Sequence, residues 1–520
     1  MSKDETVKED SRTNNFVRNS MVGMLMQLFS LILSFVSRTI FIKILTNDYL
    51  SINGLFSNIL STLSFVELGF GTALLYMMYK PVAENDKEKI KTVLKYYRKV
   101  YAIVGLTMLI LGILVIPFMG IIIKDPPHIP ENLNFIYVLF LVNTCIGYFY
   151  SHKTAIINAY QKNYVVSIYS QVFKWIQVIL QTVFLIVTKN YIIYLVIQIV
   201  CTLLNNILIS RKADKMFPYI KEKNVVPLSK DERKEVNHKV KALIFYKLNP
   251  SILNGSTNLV MSSVLGVAYV GIYSNYYLIT SYLTMFINQI TNALEPSIGN
   301  LNALETGKRK EETFYKILFM CFFIFGLACA LLMALINDFI NIWIGKEYLF
   351  SMFIVFAMLL NVYVNGVNFA CYSFRTTSGL FERAQLVPLY EVILNVVFSI
   401  LFAKWFGVAG IFLGATLAKF LTFFWTDPLL LYKYLFKNKN TKEYFIKYLM
   451  YISITIGVGA LLTYISSMFV TTNYISWFIK AVILSFMALA LFVLLTFKTK
   501  EFKALFEVVK NKFLRRKANA

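Results

Sequence analysis

The sequence predicts an all-α polytopic membrane protein with about 14 transmembrane helices. The helices are expected to form two six-helix bundles related by a pseudo-two-fold axis along the membrane normal, followed by two further C-terminal helices. Three observations lead there: the composition, the alternation of basic residues along the chain, and an internal repeat. The 520 residues are 57% hydrophobic and 15% charged, with a mean hydropathy of +0.60. Soluble domains carry about 25% charged residues and cannot keep this much apolar surface in water.

A membrane-spanning helix needs roughly 20 mostly apolar residues. Candidate spans lie at about 17–44, 49–79, 98–123, 133–151, 164–188, 190–210, 242–266, 270–296, 313–337, 351–374, 385–404, 407–432, 446–470 and 474–497. With the N-terminus on the cytoplasmic side, 42 of the 52 Lys and Arg residues fall in cytoplasmic segments, and only Lys124, Lys189, Lys346 and Lys404 fall in outer loops. Adding or removing one span would scramble this asymmetry, so both termini are expected to be cytoplasmic. The polar start through Asn15 and the full-length first apolar run read as a span rather than a cleavable signal.

The repeat lies in Asn53-Gly54-Leu55-Phe56-Ser57-Asn58 and Val270-Gly271-Ile272-Tyr273-Ser274-Asn275. Each copy opens a long apolar segment that closes on a polar linker, Ala83-Glu84-Asn85-Asp86 in the first and Ala303-Leu304-Glu305-Thr306 in the second. The copies are six spans apart, an even number, so they share one orientation, as in parallel transporter repeats. The expected organisation is an N-terminal bundle at 1–210, a cytoplasmic linker at 211–241, a C-terminal bundle at 242–432, appended helices at 433–497 and a basic tail at 498–520.

Several cytoplasmic segments are amphipathic. Ile90, Val93, Leu94 and Tyr97 follow helical spacing and read as an interfacial elbow helix. Ser229 and Glu232 have capping-box spacing. In the tail, Phe502, Leu505, Phe506, Val509 and Phe513 are set against eight basic residues. These features suit anionic membrane lipids or a partner, and equally suit solvated basic ends that fix orientation. The formal charge of +24 therefore reports membrane orientation and headgroup contact, not nucleic acid.

No motif points to an enzyme. The chain has no Gly-x-Ser-x-Gly, and Gly299 to Gly307-Lys308-Arg309 lacks the spacing and the Ser/Thr of a phosphate loop. Cys145, Cys201, Cys321, Cys329 and Cys371 all fall in apolar runs, as buried free thiols do. His128, His152 and His238 are assigned to separate loops. No metal site and no cofactor is expected.

The informative residues are charges at membrane depth, each costing about 2.5–3.5 kcal/mol at a helix centre. Lys174 lies in span 5, Lys419 in span 12, and Arg38 near the outer end of span 1. These three cations suggest a lumen that accepts an anion such as a phosphate. The structural account of Arg38 is an ion pair with Glu67 of span 2. Glu67 is otherwise suited to take up H⁺ or Na⁺. Glu391 and Asp427, placed nearer the cytoplasmic side where water enters more easily, are further candidates for ion coupling or pairing. Asn249, Asn254, Ser256, Thr257 and Asn258 in span 7 either line a cavity or bond helix to helix. Lys43, Lys247 and Lys480 lie near span ends, where snorkelling is expected.

The runs Ser37-Arg38-Thr39, Ile52 through Leu60, Glu67-Leu68-Gly69-Phe70-Gly71, Tyr79-Lys80-Pro81, Val270 through Tyr277 and Ser297-Ile298-Gly299-Asn300-Leu301 together resemble a Wzx-type polysaccharide flippase of the multidrug/oligosaccharidyl-lipid/polysaccharide exporter superfamily. The resemblance extends through span 12. It implies a V-shaped, two-bundle transporter of the bacterial cytoplasmic membrane that works by alternating access. The implied substrate is an undecaprenyl-pyrophosphate-linked oligosaccharide, moved from the cytoplasmic to the outer leaflet, with polysaccharide assembly enzymes as further partners. Of the three cations, only Arg38 falls in a matching stretch. An ion-coupled drug/cation antiporter of the same superfamily and a membrane-embedded glycan polymerase or ligase are the competing readings. Fourteen spans and the excess of buried cations weigh against the antiporter, the lack of a large outer loop weighs against the polymerase or ligase, and a scaffold role follows if every buried charge is internally paired.

Overall fold

The computed structural model describes residues 26–507 apart from 28, 68–69, 124, 128, 161, 223–224, 235–255, 293 and 439. All regular structure among the described residues is helical. This follows from the sequence: a chain this apolar must satisfy its backbone groups within each segment. Ten described helices are long and apolar enough to cross a membrane, and they correspond to spans 3–6 and 9–14. The start of span 1 and most of span 7, including Asn249, Asn254 and Lys247, lie outside the described residues, as do His128, His238, Val509 and Phe513. Span 2 is split by a 3-10 segment, Ser64–Glu67, and span 8 is a 26-residue helix rich in Tyr, Asn, Thr and Ser.

Backbone contacts divide the chain into two units. The first comprises 1–50, 70–116 and 129–239, and the second comprises 51–69, 117–128 and 240–520.

The first unit contains α1 (29–44), the start of α2 (Asn47–Leu63), α3 (Phe70–Ala83), α4 (Lys87–Val115), α5 (Leu133–Ala159), α6 (Asn163–Thr188) and α7 (Tyr191–Met216). The helix starts are set by side-chain caps. Asp86 accepts from the Lys89 N–H, Asn132 from Asn134 and Phe135, and Asn190 from Ile192 and Ile193. Residues Ile90, Val93 and Leu94 do not form a separate interfacial helix. They belong to α4 and pack, with Met78, Ile156 and Phe217, into a buried core cluster. Their periodic apolar stripe was read as facing lipid; it faces protein, because α3, α5 and α7 supply an apolar surface at that level.

The chain after α7 is anchored to α4 at Glu222, Val225 and Glu232. Lys91 is buried and pairs with Glu88 at 2.6 Å and Glu222 at 2.5 Å, Lys89 bonds Glu232, and Lys95 donates to the Val225 carbonyl. Glu232 also closes the capping box with Ser229 that the sequence contains. The hydrogen bond from Lys89, with help from Ser229, holds the Glu232 carboxyl below its ordinary range against the opposing effect of burial. Because its folded-state pKa is depressed, its contribution is complete above the unfolded carboxylate pKa and is lost as pH falls through the lower folded value. Protection of the 225–234 amides, measured against the intrinsic exchange rate at each pH, should therefore be high at neutral pH and fall below about pH 4, and Glu232→Gln should show low protection at both.

The second unit contains the rest of α2, α8 (256–260, continued by the π-helical turn Met261–Leu265), α9 (Val267–Asn292), α10 (Glu295–Leu304), α11 (Gly307–Ile344), α12 (Met352–Val367), α13 (Phe369–Thr377), α14 (Val387–Phe406), α15 (Val408–Leu421), α16 (Phe423–Leu430), α17 (Lys442–Ser467) and α18 (Tyr474–Thr496). Its spine is the 38-residue α11, about 57 Å long at 1.5 Å per residue and so longer than the hydrocarbon core. The two C-terminal helices pack onto α11. Phe322 stacks on Tyr451 at 4.2 Å, Ser466 donates to the Ala334 carbonyl, and Lys480 pairs with Asp338 at 2.6 Å. Lys480 therefore does not snorkel; it is buried against a carboxylate of the neighbouring helix.

The two repeat motifs share one local structure. Asn58 donates to the Gly54 carbonyl and Asn275 to the Gly271 carbonyl, each one turn back. The copies also touch: a methyl group on Gly54 would stand 3.2 Å from Val270 Cγ1, so the small residue permits the close approach of α2 and α9.

Candidate functional site

The second unit holds a cavity of 720 Å³ between α9, α12, α14 and α15. Polar groups converge there because each of these helices turns one polar stripe inward. Asn361, Asn365 and Asn368 come from α12 and its C-cap, Asn395 and Glu391 from α14, and Lys419 from α15. Tyr273, Tyr277 and Tyr372 supply aromatic wall, and Tyr273 belongs to the second repeat motif.

Lys419 organises this lining. Its ammonium donates to Asn365 Oδ1 at 2.5 Å and lies 3.5 Å from Glu391 Oε1. Asn365 passes the connection on, donating from Nδ2 to the Asn361 carbonyl and side-chain oxygens. Asn361 in turn donates to Thr416 Oγ1 at 3.2 Å. The result is a fixed polar strip in which the lysine is held at one end and its charge is partly offset by Glu391.

Behind the cavity lies an ion pair that the span assignment missed. Arg375 was assigned to a cytoplasmic loop beginning at residue 375, but α13 runs on to Thr377 and buries it. Arg375 Nη1 donates to Asp427 Oδ1 at 2.7 Å, and the guanidinium lies over the Phe423 ring at 4.5 Å. Asp427 is 0% exposed and enclosed by protein, while Glu391, 3% exposed, lines the cavity. Pro428 follows Asp427 directly, and the helical line is interrupted at Thr422, where ψ is −95°. Such interruptions are tolerated at membrane depth where protein or a cavity receives the freed backbone. The signal available in the sequence was the cluster Thr422, Asp427 and Pro428 inside one apolar run.

Arg38 is in the first unit on α1, with Tyr194 of α7 as its electrostatic neighbour. Lys174 is exposed on α6, at the level where Trp175 donates to Ser30; Ser37 and Thr182 meet about two turns further along the same helix pair. The two cations are therefore at different levels of the unit. Glu67 ends the 3-10 segment between α2 and α3 and is counted with the second unit. Lys419, Glu391 and Asp427 share one electrostatic neighbourhood. All five cysteines are buried and free. Among the described residues no three His, Cys, Asp or Glu side chains converge to hold a metal.

No protein-family model and no curated protein matches the sequence. Solved structures do match the fold. An inward-facing multidrug resistance MATE family transporter of the MOP superfamily aligns with a TM-score of 0.62 at 15% identity, covering 79% of this chain and 96% of that one. The lipid II flippase MurJ, in an inward closed conformation, aligns with a TM-score of 0.60 at 15% identity, covering 91% and 99%. A MATE transporter from Vibrio cholerae aligns with a TM-score of 0.54 at 12% identity, covering 80% and 95%. These proteins are described as transporters or flippases, not enzymes, and the chain has the polytopic helical fold that they share.

Proposed function

We propose that the protein is a flippase that moves an undecaprenyl-pyrophosphate-linked oligosaccharide from the inner to the outer leaflet of the bacterial cytoplasmic membrane by alternating access, with both termini cytoplasmic. The observation that carries this reading is the lining of the 720 Å³ cavity: side-chain amides and tyrosines around a single lysine. Amides pair with sugar hydroxyls, tyrosine faces stack on sugar rings, and a lysine held by Asn365 donates to a phosphate oxygen without a large reorganisation. A charged, hydroxylated headgroup cannot enter hydrocarbon without losing its water, and such a lining replaces those bonds. The likeness to a lipid II flippase over 91% of this chain supports the same direction. In this reading Arg38 and Lys174 are anion contacts of the N-terminal bundle at 1–210, and the 242–432 bundle contributes Lys419. The basic tail at 498–520 would contact anionic lipids.

The second reading, an ion-coupled antiporter of small molecules, is favoured by Glu391 and Asp427, two carboxylates close to the cavity, and by the likeness to MATE transporters. In either case an ion gradient in H⁺ or Na⁺ would act through these carboxylates or Glu67.

Translocation of a short undecaprenyl-pyrophosphate-linked oligosaccharide in proteoliposomes tests the proposal. Lys419→Gln should slow transport about ten-fold or more, the loss expected for one hydrogen bond to a charged group, while Lys419→Arg should keep most of it. Arg38→Ala and Lys174→Ala should each slow it. Export of a small cation with no movement of any lipid-linked sugar would replace the proposal with the antiporter.

A further inference from the structure

The first unit contains a second cavity, of 490 Å³, at the end of α4, α5 and α7 that carries the excess of basic residues. Its walls include Arg98 of α4, His152 and Lys153 of α5, and Ser210 of α7. His152 lies within α5 and not in a loop, and it is 7% exposed. Its buried Nδ1 forms no hydrogen bond among the described residues. Lys153 is paired with Asp214. Setting Arg98 and Lys153 against Asp214 leaves one positive charge before the imidazole is counted. Buried polar atoms normally have partners, and the residue that carries this one lines a basic hollow.

The surface beyond the hollow, away from the basic end, is apolar and open. Ile103, Leu106 and Ile110 on α4 and Val196, Val200 and Leu203 on α7 are all exposed, and they flank α5, whose Phe149 is exposed at the cavity itself. A ligand seated here would have its polar end among Arg98, His152 and Ser210 and its apolar part along these rows.

We propose that this hollow, lined by none of the residues around Lys419, is a binding site for the phosphodiester headgroup of an anionic phospholipid. The charge matches: one phosphodiester carries one negative charge, and basic pockets between transmembrane helices on the cytoplasmic side suit such headgroups. Arg98 pairs with the phosphate oxygens, His152 bonds the headgroup, and the acyl chains lie along α4 and α7.

Native mass spectrometry of the full-length protein with phosphatidylglycerol or phosphatidylcholine tests this. Phosphatidylglycerol should be retained in preference, at one molecule per protein in the tightest class. Arg98→Gln should weaken retention at least about five-fold, the effect of one basic group beside anionic lipid. Lys99→Gln removes the same charge from the exposed neighbouring position outside the hollow and should change it less than about two-fold on the same scale. Leu203→Trp fills the wall without altering charge and should also displace the lipid, which keeps the test open if Arg98→Gln fails to fold. Equal retention of both lipids, equal losses in Arg98→Gln and Lys99→Gln, or no loss in Leu203→Trp would overturn the site. Displacement of the lipid by inorganic phosphate at equal concentration would make it a free-anion site and overturn the lipid assignment.

Discussion

Asp427→Ala should lower stability by about 3–5 kcal/mol, because it leaves the Arg375 guanidinium buried without a counter-charge. Arg375 is 4% exposed and its partner is fully enclosed, so solvent cannot take over the lost interaction. The face of Phe423 stays beside the guanidinium and recovers only part of the loss. Replacing both partners, as Arg375→Met with Asp427→Leu, removes the two desolvation costs together and should restore most of the stability. Thermal unfolding in detergent, followed by size-exclusion fluorescence, separates the cases. If the double variant is as unstable as the single one, the pair is not what holds α13 to α16.

The second large effect is steric. Helices α14 and α15 form a tight hairpin that turns at Gly407, where φ is +59°. A methyl group on Gly410 would fall onto the Phe402 carbonyl, and one on Gly414 would stand 2.5 Å from the Phe398 carbonyl carbon. Both obstacles are backbone, so no rotamer change relieves them. Gly410→Leu and Gly414→Leu should each destabilise by more than about 4 kcal/mol, a size reserved for core disruption, and should yield little monodisperse protein. Gly457→Ala, whose added methyl meets nothing within 4 Å, should behave as wild type in the same assay. Because α15 carries Lys419 and α14 carries Glu391, the contact that forbids a side chain at Gly410 and Gly414 also sets the spacing of the charged pair in the cavity.

Much of the fold was legible because a bilayer leaves a chain few choices. Apolar runs of sufficient length and lysines at one set of ends account for ten described spans. The site was legible only in part. Lys419 and Glu391 stand out as charges in apolar runs, but their 3.5 Å approach depends on a hairpin packing that hydropathy does not encode. Arg375 was misplaced for the same reason: a charge at the end of an apolar run marks the end of a span unless a buried partner neutralises it. Asp427 does so from a position 52 residues away. Asn361 and Asn365 gave no signal, since asparagine in an apolar helix reads as a helix–helix contact, and the use of both ends of the Asn365 amide appears only in three dimensions.

The anchored linker bears on how the protein can be handled. A polar segment of about thirty residues after an apolar run invites use as a slack tether for a reporter, an affinity tag or a protease site. Here Glu222, Val225 and Glu232 are each tied to a lysine of α4, so the stretch is folded structure over that part of its length. An insertion between Val225 and Ser229 would pull on those lysines and perturb the first unit. Exposed Asn440, which lies beyond the left-handed Lys437 and the Asn438 side chain that donates to Glu311, is the less disruptive place to label.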